Sequence, residues 1–590
     1  MPSGRVLERS RAAARLILLC LLLVNLAGFL FQPMNDSDFF WHLRTGEWIL
    51  QHRALPQEYL FSVAPPQTTA AAQRFIMTSY WLTQVMLAAL HGAGGFAAIV
   101  AWRWLLFVPF LVLVARRAQG DPLVRTAFLS LAVLVLGLFP AERPQFVSFL
   151  GTAALLYLLD GLRAPRPAAG RRWLAGAVPA LMVLWANCHG GFVVGLGLLG
   201  WFALAESLKL LHPRLEPLPT GQLRLLLVAI GSGALASLLN PNGWQVIQVA
   251  LHPGATFIAE YRSTLESYRN AADPWIIVYW GLLMLAAAGL ALSWRRPDVT
   301  TIGLVALTGY FSFTTLRHVP FFVAAALPPA VAAFSDSRLV RWSRPLLAAL
   351  GLGAGLFFLP AAAAQVRETR QWARVDAYYF PQGAAAFIEQ TGLKGSLFNL
   401  YDWGGYLLWR LAPRSVFVDG RGADPELMDE YRRVLAGDRR LVDGQEAWKR
   451  TLDRHQLNLA VTPFFHPDSG KLLGIVDALL ADPTWWPVYV SATSLVFARD
   501  VEANRDVLRR FAQSKQEFYP RLLEFTRVLN VARLDLVAPF VARGDLFQRL
   551  GDRASALRSY QQALRLVPTQ PLATARIAQL RAAESLRTPR

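Results

Sequence analysis

The chain has 590 residues, of which 54% are hydrophobic and 17% charged, and its mean hydropathy is +0.32. That composition excludes a disordered chain and a small disulfide scaffold. The formal net charge of +19 suits nucleic acid, an anionic membrane surface or a topology signal, and composition alone does not choose among them.

The basic start, with Arg5, Arg9, Arg11 and Arg15, leads into an apolar run from Leu16 to Phe31. No small-residue cleavage site follows, so the run reads as an uncleaved first helix. Further runs long enough to cross a bilayer recur at 95–115, 123–140, 145–162, 173–189, 191–208, 223–240, 274–293, 299–316, 319–334 and 345–362. With the first, at 16–34, they predict about eleven transmembrane helices. The segment 76–92 is apolar but short and carries Thr78, Ser79, Thr83 and Gln84, which predicts a helix at the interface or partly buried against the bundle. Cys20 and Cys188 lie in apolar runs and read as small buried hydrophobes.

Lys and Arg in short loops collect on the cytoplasmic side. Arg116 and Arg117 follow the second span, Arg163, Arg166, Arg171 and Arg172 the fourth, and Lys209 and Arg214 the sixth. Arg295 and Arg296 follow the eighth, and Arg338, Arg341 and Arg344 the tenth. Each even exit is basic, as is the start, so the N-terminus is expected in the cytoplasm and everything after 362 outside it. Counting 76–92 as a crossing would invert this parity. With the charge placed in membrane-flanking loops and an Arg-rich tail, nucleic-acid binding is disfavoured.

This register puts several polar clusters on the extracytoplasmic face. Asp36 and Asp38 follow the first span, Glu142 and Arg143 the third, and Asn187 and His189 end the fifth. Glu260 lies downstream of Asn240-Pro241-Asn242-Gly243, and Arg317 and His318 end the ninth span. Ionisable groups at membrane helices are costly and mark function, so their gathering on one face predicts a shared site. Two carboxylates two residues apart, Asp36 and Asp38, suit either a divalent cation or a general base with a neighbour that shapes it. Capping of a polar helix end is the structural alternative.

Beyond residue 362 the pattern changes. Helices at 381–391, 424–435, 444–455 and 471–481 alternate with short strands at Ser396–Leu400, Ser415–Asp419, Leu457–Val461, 486–491 and 494–498. Such alternation predicts an extracytoplasmic α/β domain over 363–500. Gly404, Gly405 and Gly420 are expected where the backbone turns or approaches closely, and no complete phosphate-cradling motif is present. From 501 to 590 the chain reads as a helical tail. Gly544, Ala556, Tyr560, Ala563 and Pro568 have the spacing of a tetratricopeptide helix pair, with Tyr560 between the helices and Pro568 ending the second. One such pair serves equally as a packing cap or as a surface for a protein partner.

Five motifs occur in order: Asp36-x-Asp38-x-x-Trp41-His42-Leu43-x-x-Gly46, Glu142-Arg143-Pro144-Gln145, Trp185-x-Asn187-x-His189-Gly190-Gly191-Phe192, Asn240-Pro241-x-Gly243 and Val416-Phe417-Val418-Asp419-Gly420-Arg421. Together with the topology, over nearly all of 16–500, the chain resembles the GT-C superfamily of polyprenyl-phosphate-sugar-dependent glycosyltransferases, in particular a bacterial multispan group placed with it. The resemblance implies a GT-C-like domain over 1–362, whose first extracytoplasmic loop is about 35–94, in the bacterial inner membrane. It implies transfer of a hexosyl or pentosyl group, by inverting displacement, from a polyprenyl-linked donor to a glycan, lipid or protein acceptor. Under it Asp36 or Asp38 is the base, Arg143, Arg317 and His318 steady phosphate charge, and His42, Glu142, Asn187, His189 and Glu260 are further substrate-binding candidates. The Asp-Ser-Asp pair departs from the adjacent Asp-Glu or lone Asp of better-known members. No metal is assigned, and a divalent cation at Asp36 and Asp38 remains an alternative. Two other classes stay in view. A transporter or flippase of lipid-linked saccharides should show repeated halves and polar groups at mid-depth, and a non-catalytic envelope assembly protein should depend on its tail.

Overall fold

The computed structural model describes the chain apart from residues 1–3, 66–69, 138, 140–141, 246–260, 272, 294–297, 337–339, 368–372, 423–424, 468, 533–535 and 586–590. It divides into two compact units, each described by itself. The first comprises 1–36, 42–57 and 74–375, and the second 37–41, 58–73 and 376–590.

The first unit is helical. Its helices are α1 (Gly4–Leu30), α2 (Phe39–His52), α3 (Ala70–Thr78), α4 (Trp81–Arg117), α5 (Pro122–Leu136), α6 (Gln145–Arg163) and α7 (Ala168–Cys188). They continue with α8 (Phe192–Leu208), α9 (Thr220–Ala236), α10 (Thr264–Ala271), α11 (Pro274–Leu292), α12 (Val299–Thr314), α13 (Val319–Asp336) and α14 (Val340–Arg367). Every apolar stretch expected to span carries a helix. Among the described residues seven helices are long and apolar enough to cross a membrane, and α5, α9 and α12 are shorter apolar helices. Cys188 is buried, whereas Cys20 is exposed on its helix, contrary to the expectation that both are buried.

One break in helical geometry and one in helix hydrogen bonding arise directly from composition. Within α4, Gly94 and Gly95 leave helical geometry, and Gly95 takes φ 59°, a conformation open to glycine at little cost. The segment 81–93 is thereby separated from the apolar run that begins near 95. In α13 the adjacent Pro328 and Pro329 lack amide protons. The carbonyl of Ala324, which Pro328 cannot serve, instead accepts a hydrogen bond from the Arg117 guanidinium.

The end of the bundle that holds Arg117 is knotted by charge. Arg117 pairs with Asp160 at 2.9 Å, and Arg163 with Glu206 at 2.7 Å and Asp298 at 2.8 Å. Lys209 meets the same two acids at 2.9 and 2.5 Å, and Thr300 donates to Glu206 at 2.6 Å. The Glu206 side chain is fully buried, so these partners supply the compensation a buried charge requires.

At the other end, the backbone leaving α1 is joined to the backbone leaving α14. Met34 N donates to Arg374 O at 2.8 Å, and Met34 and Val375 form a parallel bridge.

The second unit is α/β with a helical tail. Its sheet has the order β1 (Ser396–Asn399), β4 (Leu457–Thr462), β6 (Leu495–Arg499), β5 (Trp485–Val490), with β1 parallel to β4 and the other neighbours antiparallel. A separate two-stranded ribbon pairs β2 (Leu441–Val442) with β3 (Gln445–Glu446). The unit's helices are α15 (Gln382–Thr391), α16 (Gly404–Arg410), α17 (Pro425–Ala436), α18 (Ala447–Arg454), α19 (Gly474–Ala481) and α20 (Arg505–Phe511). The expected strand at Ser415–Asp419 is not part of the sheet ladder. Val416 makes a parallel bridge to Leu397 of β1 and also pairs with the first-loop segment, accepting from Val63 N at 3.0 Å and donating to Phe61 O at 3.1 Å.

The tail contains α21 (Phe518–Ala532), α22 (Ala538–Arg549), α23 (Arg553–Leu566) and α24 (Pro571–Ser585). Tyr560 is fully buried, in a cluster with Phe540, Val541, Ala556, Ala563 and Ile577. A Cβ on Gly544 would fall 2.3 Å from the Tyr560 ring, so glycine is what lets α22 and α23 approach. The Tyr560 hydroxyl donates to Asp545 at 2.6 Å.

Candidate active site

Four of the five motifs meet in the helical unit, at the end where α1 exits. Asp36 is buried and its carboxylate is paired with the Arg143 guanidinium. The adjacent Glu142 points elsewhere and forms a two-pronged pair with Arg103, at 2.8 Å to Nε and 2.7 Å to Nη2. Arg103 Nη1 also reaches the carbonyl of Leu30 at 3.1 Å and that of Gln32 at 2.5 Å. These lie at the C-terminal end of α1, where helix carbonyls lack intrahelical partners.

A second chain of contacts runs through aromatic rings. His42 on α2 lies edge-on to Tyr80 with 5.0 Å between centroids, and Tyr80 lies 5.4 Å from the His189 ring. His42 Nδ1 meets the Gln84 amide at 3.3 Å. Gly46 makes this approach feasible, because a Cβ there would fall 1.9 Å from the Gln84 carbonyl oxygen. His189 Nδ1 accepts from Gly191 N at 2.9 Å and meets Ser148 Oγ at 2.6 Å, while Trp185 Nε1 donates to that same Oγ at 2.7 Å. With Nδ1 acting as acceptor, the neutral ring carries its proton on Nε2.

Other predicted residues have structural partners. Asn187 donates to Val183 O at 2.9 Å and Leu239 O at 2.7 Å, and accepts from Trp81 Nε1 at 2.9 Å, so its amide ties α7 to α4 and to the segment after α9. In the Asn240–Gly243 turn, Asn240 Oδ1 accepts from Asn242 N at 2.8 Å and Pro241 O accepts from Arg74 at 2.8 Å, which docks α3. Arg317 binds the Tyr261 hydroxyl and lies 4.7 Å from its ring centroid. Among the described residues no carboxylate pairs with it. His318 packs between Phe311 and Phe321, at 6.0 and 5.9 Å, with Nδ1 buried and without a hydrogen-bond partner among the described residues. Glu260 lies outside the described residues.

Asp38 and the fifth motif belong to the second unit. Trp41 Nε1 donates to Asp38 Oδ1 at 3.4 Å, and a Cβ on Gly420 would fall 1.7 Å from that oxygen. Asp419 and Arg421 form a buried two-pronged pair at 2.8 and 2.6 Å, and Arg421 also donates to Leu60 O at 2.5 Å and lies 4.3 Å from the Tyr59 ring centroid. Gly404 packs on Val418 O, where a Cβ would fall at 2.1 Å. The Tyr401 hydroxyl is pushed well above its ordinary range, first by burial and then by the charges of Asp38, Asp419 and Asp402, so it stays protonated at neutral pH.

The Asp36 carboxylate is engaged by a guanidinium, and among the described residues no group of three or more His, Cys, Asp or Glu is arranged to hold a metal. Sequence reasoning missed Arg103, Gln84, Tyr80 and Ser148. Arg103 carried a usable signal, because an arginine amid the apolar stretch 95–115 is an intramembrane charge in need of a partner.

No family model and no curated protein matches the chain. Among solved structures, the arabinofuranosyltransferase AftD from Mycobacteria aligns with a TM-score of 0.51 at 15% identity, over 84% of this chain and 40% of that one. This chain therefore corresponds to less than half of that protein. ArnT from Cupriavidus metallidurans aligns at 0.47 with 14% identity, over 85% of this chain and 98% of that one. The archaeal oligosaccharyltransferase AglB from Archaeoglobus fulgidus, solved with an inhibitory peptide and a dolichol-phosphate, aligns at 0.45 with 11% identity, over 83% of this chain and 74% of that one. The likeness to AftD shows the fold alone, that of a multispan helical membrane protein.

Proposed function

We propose that the chain is a membrane glycosyltransferase that moves a hexose or pentose from a polyprenyl-phosphate carrier to a hydroxyl of an extracytoplasmic glycan, lipid or protein. The observation that carries this reading is the pairing of Asp36 with Arg143 at the end of the helical unit that also holds His42, His189 and Arg317. In this reading Asp36 takes the proton of the acceptor hydroxyl as its oxygen attacks the anomeric carbon, and the bond to the carrier phosphate breaks with the electron pair leaving on phosphate. Arg317, which has no carboxylate partner among the described residues, receives the phosphate charge, and Arg143 is shared between phosphate and Asp36. His189, with its proton on Nε2, and His42 are donors for sugar hydroxyls. Asp38 is the alternative base. The N-terminus is cytoplasmic, the second unit lies outside the bacterial inner membrane, and the tail is a tetratricopeptide-like cap open to a protein partner.

The test is transfer by purified protein in liposomes made from the source membrane's lipids, with lipid-linked sugars and products followed by mass spectrometry. Loss of lipid-linked sugar with matching gain on an acceptor is expected, and both changes should vanish with Asp36→Asn. Undiminished transfer in Asp36→Asn and Asp38→Asn alike would refute the reading. Movement of the intact lipid-linked sugar between leaflets without transfer would identify a flippase instead.

A further inference from the structure

Arg103 is fully engaged within the helical unit. Its Nε and one Nη2 proton go to the two oxygens of Glu142, and its Nη1 protons go to Leu30 O and Gln32 O. The remaining Nη2 proton faces Met34 Sδ at 3.4 Å. All five donors of the guanidinium fork are thus used, and the side chains of both Arg103 and Glu142 are almost wholly buried. The groups it grips are of two kinds. Leu30, Gln32 and Met34 form the chain that delivers Asp36, and Glu142 is bonded through one peptide to Arg143. Asp36 and Arg143 then meet each other. The contacts close a ring: Arg103 holds the stem of each partner, and the partners' tips form the ion pair.

We infer that Arg103 is a positioning residue, whose two-sided grip sets the separation of Asp36 and Arg143. Its consequence for turnover rests on the transferase reading; the grip itself does not. A buried ion pair is a poor source of net stability, because desolvation of both charges offsets their attraction. A pair that also caps a neighbouring helix and fixes the turn beside a second ion pair specifies geometry instead. Lysine at this position keeps the charge but has no fork, so it cannot serve Glu142 and the α1 carbonyls together.

Two measurements on the full-length protein in nanodiscs test this. The first uses no substrate. Asp36→Cys and Arg143→Cys are introduced with Cys20→Ala and Cys188→Ala, and the pair is cross-linked with a short bis-methanethiosulfonate. The yield is compared with Arg103 and Glu142 intact and with Arg103→Gln and Glu142→Gln together, the double change leaving no lone buried charge. High yield in the first background and a severalfold drop in the second are expected, with thermal stability little changed. Equal yields overturn the inference whatever the enzyme does.

The second measures transfer in the Arg103→Gln/Glu142→Gln protein and in Arg103→Lys. A misplacement on the order of 1 Å costs about 100-fold in kcat, so that loss is expected with the KM for the lipid donor roughly unchanged, and Lys should not rescue it. Rescue by Lys, or unaltered kcat beside a reduced cross-link, also overturns the positioning role. If the unaltered protein itself transfers nothing, the transferase reading fails and the cross-link alone still judges the grip.

Discussion

The two ends of the helical unit use charge in opposite ways. Near Arg117, three basic side chains, Arg117, Arg163 and Lys209, are shared among three acids, Asp160, Glu206 and Asp298, and the knot is self-contained. At the α1 exit, Arg103 and Glu142 repeat that closed arrangement, but Arg317 rests on the Tyr261 hydroxyl and ring. A cluster whose bases and acids are matched to one another holds helices together. An end that keeps a cation without a carboxylate partner among the described residues, beside a buried carboxylate and two histidines, is arranged to receive an anion that the protein does not supply.

The sharpest way to break this contrast is at Asp36. Asp36→Asn should lower transfer by roughly 10²–10⁴-fold, the usual contribution of a positioned general base, measured as initial rate in liposomes. Next comes Arg317→Gln, where loss of a charge-assisted phosphate contact worth about 1.5–3 kcal/mol should raise the donor KM by about 10- to 100-fold and leave the fold intact. Arg163→Gln at the knotted end should do the reverse. It leaves Glu206 undercompensated and should cost about 3 kcal/mol, read as a lower melting temperature, while turnover per folded molecule stays within about twofold. The smallest effect is expected from truncation after Ala532, which removes the Tyr560 cluster and should leave transfer within about threefold. The cut belongs there and not after Asp500, because Phe518 is buried against Phe497 of β6, with ring centroids 5.7 Å apart.

Much of the first unit was legible because crossing a bilayer demands long apolar runs, and every such run carries a helix. Motif order was also informative, since four motifs far apart in sequence meet at one end of this unit. What stayed hidden was pairing. Arg117, Arg163 and Lys209 read as topology signals after even-numbered spans, yet their acids lie on other turns or other helices, and no local pattern links Arg163 to Asp298 across 135 positions. The sidedness signal accordingly falls more heavily on arginines such as Arg116, Arg166, Arg171 and Arg172, whose charge no salt bridge among the described residues offsets. The partners of Asn187 were equally hidden: its amide ties helices together, since an amide at a helix end serves orphan carbonyls as readily as a sugar. Ser415–Asp419 has strand-like residues, but its contact with β1 is a bridge from Val416 to Leu397, and the other partner of Val416 is the segment around Phe61 to Val63, which no alternation rule identifies.

The seam between Met34 and Val375 bears on how such a chain can change. The backbone that leaves the first helix and the backbone that leaves the last one depart together, so the bundle between them is a closed loop whose closure entropy is met once, within the bundle. Insertions in the first loop lie between Met34 and Val375 and lengthen the closed loop itself, where each doubling of a flexible loop adds only about 0.6 kcal/mol of closure entropy. Insertions after Val375 lengthen a segment that begins outside it. The helical unit can therefore stay constant through evolution while the portion of the chain beyond Val375 is exchanged for larger or smaller modules.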